Sequence, residues 1–173
     1  MRFHLVDRIE SIQPGKRIVT IKALSLAEEY LADHFPAFPV MPGVMMLEAM
    51  VQSAAWLVRV EQGFSKSVIV LSAARNVRYA SFVAPGDVLR CEVEAVSIGA
   101  DSAKFKAVGA VGDRQTLSAR LELKCFNLAD LPASRQGSGT AWLAEADKQI
   151  VAQLRERFKL VGGPQALAQA TPA

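Results

Sequence analysis

Residues 34–52 read HFPAFPVMPGVMMLEAMVQ, and this stretch decides the architecture because a proline-stiffened loop runs straight into an apolar helix. Pro36, Pro39 and Pro42 exclude a helix in the first half, since proline lacks an amide hydrogen and restricts the residue before it. Across residues 44–62 apolar side chains fall on every face, which is typical of a helix buried on nearly all sides. We therefore predict one long central helix that is entered through an extended loop.

The sequence on either side of this stretch has the composition of β-strands. Residues 3–12 and 16–24 predict a hairpin with a proline-glycine turn between them. After the helix, five strands are predicted at residues 67–74, 76–83, 88–98, 103–111 and 115–126. Their short connections favour antiparallel neighbours, and Ser25 with Glu28 forms a capping-box pattern that predicts a short helix before the loop. The predicted fold class is α+β, with an antiparallel sheet wrapped around one long central helix.

The C-terminal part of the chain is predicted to be an appendage to a domain at residues 1–126. Residues 127–140 are rich in Ser, Gly and Pro and are predicted to be a linker. Residues 141–161 are predicted to be an amphipathic helix, and residues 162–173 a flexible tail. The apolar face of that helix is expected to carry Trp142, Ala146, Ile150, Leu154 and Phe158.

The composition restricts the classes of function. The net charge is +3 and Lys and Arg do not form a run, so nucleic-acid binding is not indicated. Glu48 and Arg59 interrupt the apolar stretch at residues 44–60, so we expect a core helix and no membrane span. Cys91 and Cys125 show neither metal-ligand nor redox spacing. We therefore expect a soluble cytoplasmic protein with two buried thiols and no metal site.

His34 and Glu48 are the side chains best suited to chemistry. An imidazole titrates near neutral pH and can abstract a proton, and a carboxyl group can protonate or orient a departing hydroxyl. Unpaired N–H groups at the helix start, at Gly43 and Val44, are suited to a developing oxyanion. Gln52 lies one turn after Glu48 on the same helical face. Together these groups can run an elimination α,β to a carbonyl without a metal or an organic cofactor.

A purely structural interpretation of the same residues stays open at this point. His34 could make a hydrogen bond within its loop, and Glu48 could pair with Arg59 or Arg78. On composition and spacing alone this interpretation is the favoured one, because ionisable residues are often perturbed for structural reasons.

Residues 34–52 resemble the signature of the FabA/FabZ family of 3-hydroxyacyl-[acyl-carrier-protein] dehydratases, in its FabZ branch. That signature consists of His-Phe-Pro, a proline-rich loop, Pro-Gly-Val, and an apolar helix with Glu-Ala-Met and a Gln. The matching positions are His34, Phe35, Pro36, Pro39, Pro42, Gly43, Val44, Glu48, Ala49, Met50 and Gln52. The likeness continues in residues 5–22 and 76–94, and it covers residues 1–126 in all.

The resemblance implies a hotdog fold, in which the sheet wraps the long helix. It implies that His34 takes the α-proton, that Glu48 protonates or orients the leaving hydroxyl, and that the Gly43 N–H binds the thioester oxygen. The substrate would also be contacted by Phe35, Val44, Met45 and Gln52. The implied partners are acyl carrier protein, whose phosphopantetheine carries the substrate, and a second copy of the chain. In this family the histidine and the acid of one site come from different subunits, so a homodimer or an assembly of dimers is expected.

The sequence departs from the family pattern at two places. Ala37 stands where Gly usually follows His-Phe-Pro, which puts the loop shape in question because Gly tolerates a positive φ. Residues 80–82, Ala-Ser-Phe, stand where the family usually has Arg and Pro. Two alternatives therefore remain beside a dehydratase that does not isomerise the double bond: a hotdog acyl thioesterase, and a non-catalytic acyl-binding or scaffold protein.

Overall fold

The computed structural model describes residues 3–131 and 141–170, and its main feature is one six-stranded sheet. The strands are β1 Arg8–Gln13, β2 Arg17–Ala23, β3 Val68–Tyr79, β4 Val88–Ile98, β5 Ser102–Val111 and β6 Arg114–Phe126. They lie in the order β1-β2-β4-β5-β6-β3, so β1 and β3 form the two edges. Every neighbouring pair is antiparallel, as the short connections predicted.

One long helix, α1 (Gly43–Glu61), packs against the sheet and contacts every strand from β2 to β6. The prediction of a helix at residues 44–62 is correct to within one residue at each end. Several apolar side chains of α1 are fully buried, among them Ala49, Met50, Ala54, Leu57 and Val58. Removing this apolar surface from water is the main stabilising contribution. The predicted α+β arrangement, a sheet around a central helix, is confirmed.

By length and composition α1 is apolar enough to cross a membrane, with a mean hydropathy of 1.2. Glu48 and Arg59 do not by themselves make the stretch too polar for a span, so the expectation was wrong in that respect. Within the protein, however, 56% of the apolar window is buried against the sheet. A core helix of this kind passes the same test, so we assign α1 to the core.

Strand β3 differs from the prediction because it is one strand where two were expected, at residues 67–74 and 76–83. Asn76 adopts a left-handed φ of 52°, and the pairing with β6 is irregular between Arg75 and Arg78. The irregularity is a β-bulge within one continuous strand, since residues on both sides of it pair with β6. After Tyr79 the chain leaves the sheet, so residues 80–83 are not part of a strand.

The capping box predicted at Ser25 and Glu28 was wrong. The helix that follows is a single 3₁₀ turn, Glu29–Leu31, and Glu28 at its start makes no side-chain cap. The Glu28 carboxylate instead accepts a hydrogen bond from the Lys22 ammonium at 2.5 Å. Lys22 is only 5% exposed, and a buried cation needs a counter-charge more than a short helix needs a cap.

The C-terminal region forms two helices, α2 (Ala141–Leu160) and α3 (Gly163–Ala170). Gly162 ends α2 with a φ of 78°, and Pro164 suits the first turn of the helix after it. Residues 163–170 are therefore helical where a flexible tail was predicted, and Ala166 is buried in the core. Most of the predicted linker, residues 132–140, lies outside the described residues, as do residues 171–173.

The apolar face of α2 is rotated slightly from the predicted one. Trp142 is 62% exposed, and its neighbour Leu143 is buried in its place. Phe158 is buried as expected, between the rings of Trp56 and Phe64 at centroid distances of 5.7 and 5.5 Å. The helix therefore packs over the C-terminal end of α1.

The two edges of the sheet differ in what packs against them. The Ile9 N–H of β1 donates a hydrogen bond to the Val161 carbonyl at 2.7 Å, and α3 packs against β1. At the other edge, β3 pairs with β6 alone among the described strands. One edge is thus covered by the C-terminal helices, and the other is open along residues 68–79.

Candidate active site

The loop that precedes α1 is held in a defined shape by its own backbone. The Phe38 N–H donates to the Phe35 carbonyl at 2.7 Å, and the Met41 N–H donates to the Val83 carbonyl at 2.8 Å. Phe35 carries the left-handed conformation of the loop, with a φ of 52°. Ala37 has no positive φ, so the alanine that replaces the usual Gly does not strain the loop.

The His34 ring is oriented by one hydrogen bond. Its Nδ1 lies 3.1 Å from the Val40 carbonyl oxygen, and because a carbonyl can only accept, Nδ1 must carry the proton. In the neutral ring Nε2 is then the unprotonated nitrogen, which is the form that a base requires. The Phe35 ring packs edge-on against the imidazole at 4.4 Å between centroids. His34 is half-buried, so its Nε2 can reach a bound molecule.

Glu48 is held by Gln52, which lies one helical turn away. The Gln52 Nε2 donates to Glu48 Oε1 at 3.0 Å. The same nitrogen donates to the Phe3 carbonyl, and Gln52 Oε1 accepts from the Leu5 N–H, both at 2.9 Å. Glu48 is half-buried, and its Oε2 has no hydrogen-bond partner in the part of the chain that the structure describes.

The structural alternative for Glu48, an ion pair with Arg59 or Arg78, is wrong. Neither arginine forms an ion pair with Glu48 across residues 3–131 and 141–170. The Arg59 guanidinium instead lies over the Trp56 ring, 5.2 Å from its centroid. Burial lowers the pKa of Arg59 to about 10, which still leaves it cationic at neutral pH.

The N-terminus of α1 presents free amide hydrogens. The Pro42 carbonyl accepts from the Met45 N–H at 2.9 Å, whereas the N–H groups of Gly43 and Val44 have no acceptor among the described residues. A side chain at Gly43 would force the Tyr79 ring or the helix start to move, because its Cβ would lie 2.9 Å from Cε1 of that ring. Glycine is therefore required for the close approach of the helix start to the end of β3.

The predicted substrate-contacting residues occupy different environments. Phe35 and Val44 are 60% and 69% exposed, so both side chains can be reached from solvent. Met45 is half-buried, and Gln52 has both ends of its amide engaged within the chain. Phe35, Val44 and Met45 are thus available to a substrate.

Sequence reasoning did not identify an exposed aromatic surface beside this loop. The Phe38 and Phe82 rings meet edge-to-face at 5.9 Å, and both, like Tyr79, are largely exposed. Arg114 fixes the segment by donating to Ser81 Oγ and to the Phe82 carbonyl. The sequence does contain a signal for this surface: residues 80–82 depart from the family pattern, and the departure puts Phe at position 82.

His34 and Glu48 make no hydrogen bond or ion pair with each other in residues 3–131 and 141–170. Each keeps one free functional atom, Nε2 and Oε2 respectively, and the helix start adds free N–H donors. These are the groups for which the sequence predicted a base, an acid and an oxyanion site, and the first two lie on the loop and on α1 respectively.

The comparisons with known proteins place this arrangement in a family. A family model described as a FabA-like domain matches residues 1–120, which include His34, Gly43 and Glu48. The chain belongs to this family of dehydratases. The 3-hydroxyacyl-[acyl-carrier-protein] dehydratase FabZ of Caulobacter vibrioides (strain NA1000 / CB15N) is 40% identical over 114 residues, 65% of this chain and 72% of the relative. The predicted family, its FabZ branch and the enzyme class are confirmed.

One further relative agrees with this membership, and a solved structure agrees with the fold. The dehydratase FabZ of Symbiobacterium thermophilum is 35% identical over 127 residues, which is 73% of this chain and 89% of the relative. A solved dehydratase heterocomplex, ApeI:P from Xenorhabdus doucetiae, superimposes with a TM-score of 0.63 at 16% identity, over 74% of this chain and 86% of that one. At that identity the likeness concerns the fold alone, and the predicted hotdog fold is confirmed.

Proposed function

We propose that this chain dehydrates 3-hydroxyacyl thioesters carried on acyl carrier protein and releases trans-2-enoyl thioesters. The reaction would serve fatty-acid or related lipid or polyketide biosynthesis. The observation that carries the proposal is that the FabA-like match includes three groups with free reactive atoms. These are Nε2 of His34, Oε2 of Glu48 and the Gly43 N–H.

The reaction follows from these atoms. Nε2 of His34 takes the proton from the carbon next to the thioester carbonyl, and charge moves onto the carbonyl oxygen. The Gly43 N–H, at the positive end of the α1 dipole, binds that oxygen. The Glu48 carboxyl gives its proton to the 3-hydroxyl, the carbon–oxygen bond breaks, and water leaves as the double bond forms. Proton transfer from His34 back to Glu48, directly or through water, restores the starting state.

We propose that a complete site needs two copies of the chain. Among the described residues of one chain His34 and Glu48 make no hydrogen bond or ion pair with each other, and the edge along β3 exposes Val70, Leu71 and Tyr79. An open antiparallel edge with apolar side chains is suited to pairing with the same edge of another copy around a twofold axis. Such pairing supports a homodimer in which each site takes its base from one subunit and its acid from the other.

Acyl carrier protein is the proposed partner, because the FabZ relatives bear it in their names. The acyl chain would lie along the N-terminal half of α1, where Phe35, Val44 and Met45 offer apolar surface. We propose a cytoplasmic location, since Cys91 and Cys125 are free thiols of the kind that a reducing compartment maintains.

Turnover of a 3-hydroxyacyl thioester, followed by the absorbance of the enoyl product, tests the proposal. We expect the wild type to be active, and His34→Ala and Glu48→Gln each to lose at least ~100-fold in kcat, the loss typical of removing a general acid or base. Release of free thiol from an acyl thioester would instead indicate a thioesterase. Absence of both products over several chain lengths and carriers would leave an acyl-binding protein.

A further inference from the structure

The N-terminal segment at residues 3–7 makes contacts that the dehydration scheme does not use. It precedes β1 and belongs to no strand, yet Leu5 and Val6 are each only 2% exposed and lie in the main core. Asp7 anchors its far end: the Asp7 N–H donates to the Ile21 carbonyl at 2.8 Å, and Asp7 Oδ2 accepts from the Ala23 N–H at 2.8 Å. The segment is thus held in place by the burial of Leu5 and Val6 and by the hydrogen bonds of Asp7.

This segment determines the orientation of the Gln52 amide. The Leu5 N–H can only donate and the Phe3 carbonyl can only accept, so Gln52 must turn its oxygen to the first and its nitrogen to the second. A flipped amide would face a donor with a donor and an acceptor with an acceptor. Two backbone groups, 47 and 49 residues away in sequence, therefore select one of the two orientations.

The orientation of Gln52 in turn sets the state of Glu48. One N–H of the Gln52 nitrogen is used by the Phe3 carbonyl, and the other is donated to Glu48 Oε1 at 3.0 Å. Because Oε1 receives a donor, it acts as the carbonyl-like oxygen when the carboxyl group is protonated. The acidic hydrogen then resides on Oε2, the oxygen that faces no partner among the described residues.

We propose that residues 3–7 are a positioning element, which acts through Gln52 to hold the acidic proton of Glu48 on the oxygen that meets the substrate. This inference rests on the proposed function. It makes Gln52 a positioning residue whose amide is committed within the chain, in place of the substrate contact expected from the family resemblance.

The variant Gln52→Met tests the hydrogen-bonded chain from residues 3–7 through Gln52 to Glu48. It keeps the length and the burial of the side chain and removes both its donor and its acceptor. We expect kcat to fall about 10- to 100-fold, the effect of one hydrogen bond to an ionisable group, with KM unchanged. Gln62→Met is the matched control: Gln62, which directly follows α1, likewise uses its amide to donate to a backbone carbonyl, that of Gly99 at 2.7 Å. That variant should leave kcat unchanged.

Amide hydrogen exchange gives a measurement that does not depend on activity. In Gln52→Met the Leu5 amide should lose protection, whereas the Asp7 amide, bonded to Ile21, should keep it. The variant Gln52→Glu separates the hydrogen bond to Leu5 from the hydrogen bond to Glu48. Its carboxylate still accepts from Leu5, so the Leu5 amide should stay protected, but kcat should fall and the pH–rate profile should move, because the donor to Glu48 is replaced by a like charge.

The outcomes distinguish this inference from the proposed function. An active wild type with unchanged kcat in both Gln52 variants, or an unchanged Leu5 exchange rate in Gln52→Met, overturns the positioning element alone. A wild type without dehydratase activity overturns the proposed function and the catalytic part of this inference, whatever the exchange rates are. If Gln52→Met fails to fold, Gln52→Glu, which retains the Leu5 hydrogen bond, decides the catalytic part.

Discussion

At the scale of single residues, the site depends on one close approach and on two hydrogen bonds. Gly43 allows the start of α1 to touch the Tyr79 ring, Val40 sets the tautomer of His34, and Gln52 sets the free oxygen of Glu48. Among the described residues Nε2 of His34 and Oε2 of Glu48 have no hydrogen-bond partner, as the catalytic roles proposed for them require.

Gly43→Ala should impair catalysis by displacing the helix start. The added methyl carbon would lie 2.9 Å from the Tyr79 ring, so the ring or the first turn of α1 must move. We expect kcat to fall about 10- to 100-fold, as for a small misplacement of a catalytic group, with the substrate turnover assay as the measurement. In a Tyr79→Ala background the same change should cost much less, because the ring is gone. An equal loss in both backgrounds would exclude the clash.

At the scale of elements, local signals predicted the loop and α1 well. Pro42 and Gly43 mark the start of the helix in the sequence itself, so its boundary is correct to one residue. The single strand β3 could not be predicted in the same way, because Asn76 looks like a turn signal and only pairing with β6 carries the strand through it. Likewise α3 is stabilised by packing on β1, a contact between the two ends of the chain.

The same distinction holds for the candidate site. His34, Gly43 and Glu48 were found because they share one short motif and a chemistry that requires those residue types. The actual partners of Gln52 were missed, since the Phe3 and Leu5 backbone groups that bind it carry no signal in their side chains. Tyr79 was missed for a similar reason, because only the fold brings the end of β3 against Gly43.

The attachment of α2 gives a pH-dependent prediction. The Asp147 carboxylate is largely desolvated, which raises its pKa, but hydrogen bonds from Ser67 Oγ and from the Ala129 and Leu128 N–H groups outweigh this and hold the pKa below its usual range. A lowered folded-state pKa means that the stabilisation is present above the ordinary Asp value of about 4 and is lost as the pH falls further.

Asp147→Asn should therefore lower the free energy of unfolding by about 1–3 kcal/mol at neutral pH, the cost of weakening a buried charged hydrogen-bond acceptor. The difference from the wild type should shrink as the pH falls below about 4. Denaturant unfolding curves at several pH values measure both effects. Glu145→Gln is a suitable control, because Glu145 is an exposed residue of the same helix whose ion pair with Lys148 lies at the surface. A difference in unfolding free energy between wild type and Asp147→Asn that does not change with pH would contradict the lowered pKa of Asp147.

At the scale of the whole molecule, the proposed division of the site between two chains is the feature that activity can test directly. His34 and Glu48 make no hydrogen bond or ion pair with each other among the described residues. If each site is shared between subunits, a subunit that lacks one of them can still lend the other to its partner.

Mixing inactive His34→Ala and Glu48→Gln proteins, after unfolding and refolding together, should restore turnover. Random pairing makes half of the dimers mixed, and each mixed dimer holds one intact site of two, so about a quarter of the wild-type activity should return. The enoyl absorbance assay measures this recovery, with each variant refolded alone as the control. If the mixture stays as inactive as its components, each site lies within a single chain.

The covered edge of the sheet has a consequence for aggregation. An exposed β-strand edge is a template on which further strands can add without limit, as they do in fibrils. In this chain the Val161 carbonyl and α3 occupy the β1 side, so β3 is the edge of the described sheet that stays available for strand addition. A subunit with one exposed strand edge can pair with one other subunit, and the pair then has no exposed strand edge. We therefore expect removal of the C-terminal helices to expose a second edge and to promote the growth of polymers.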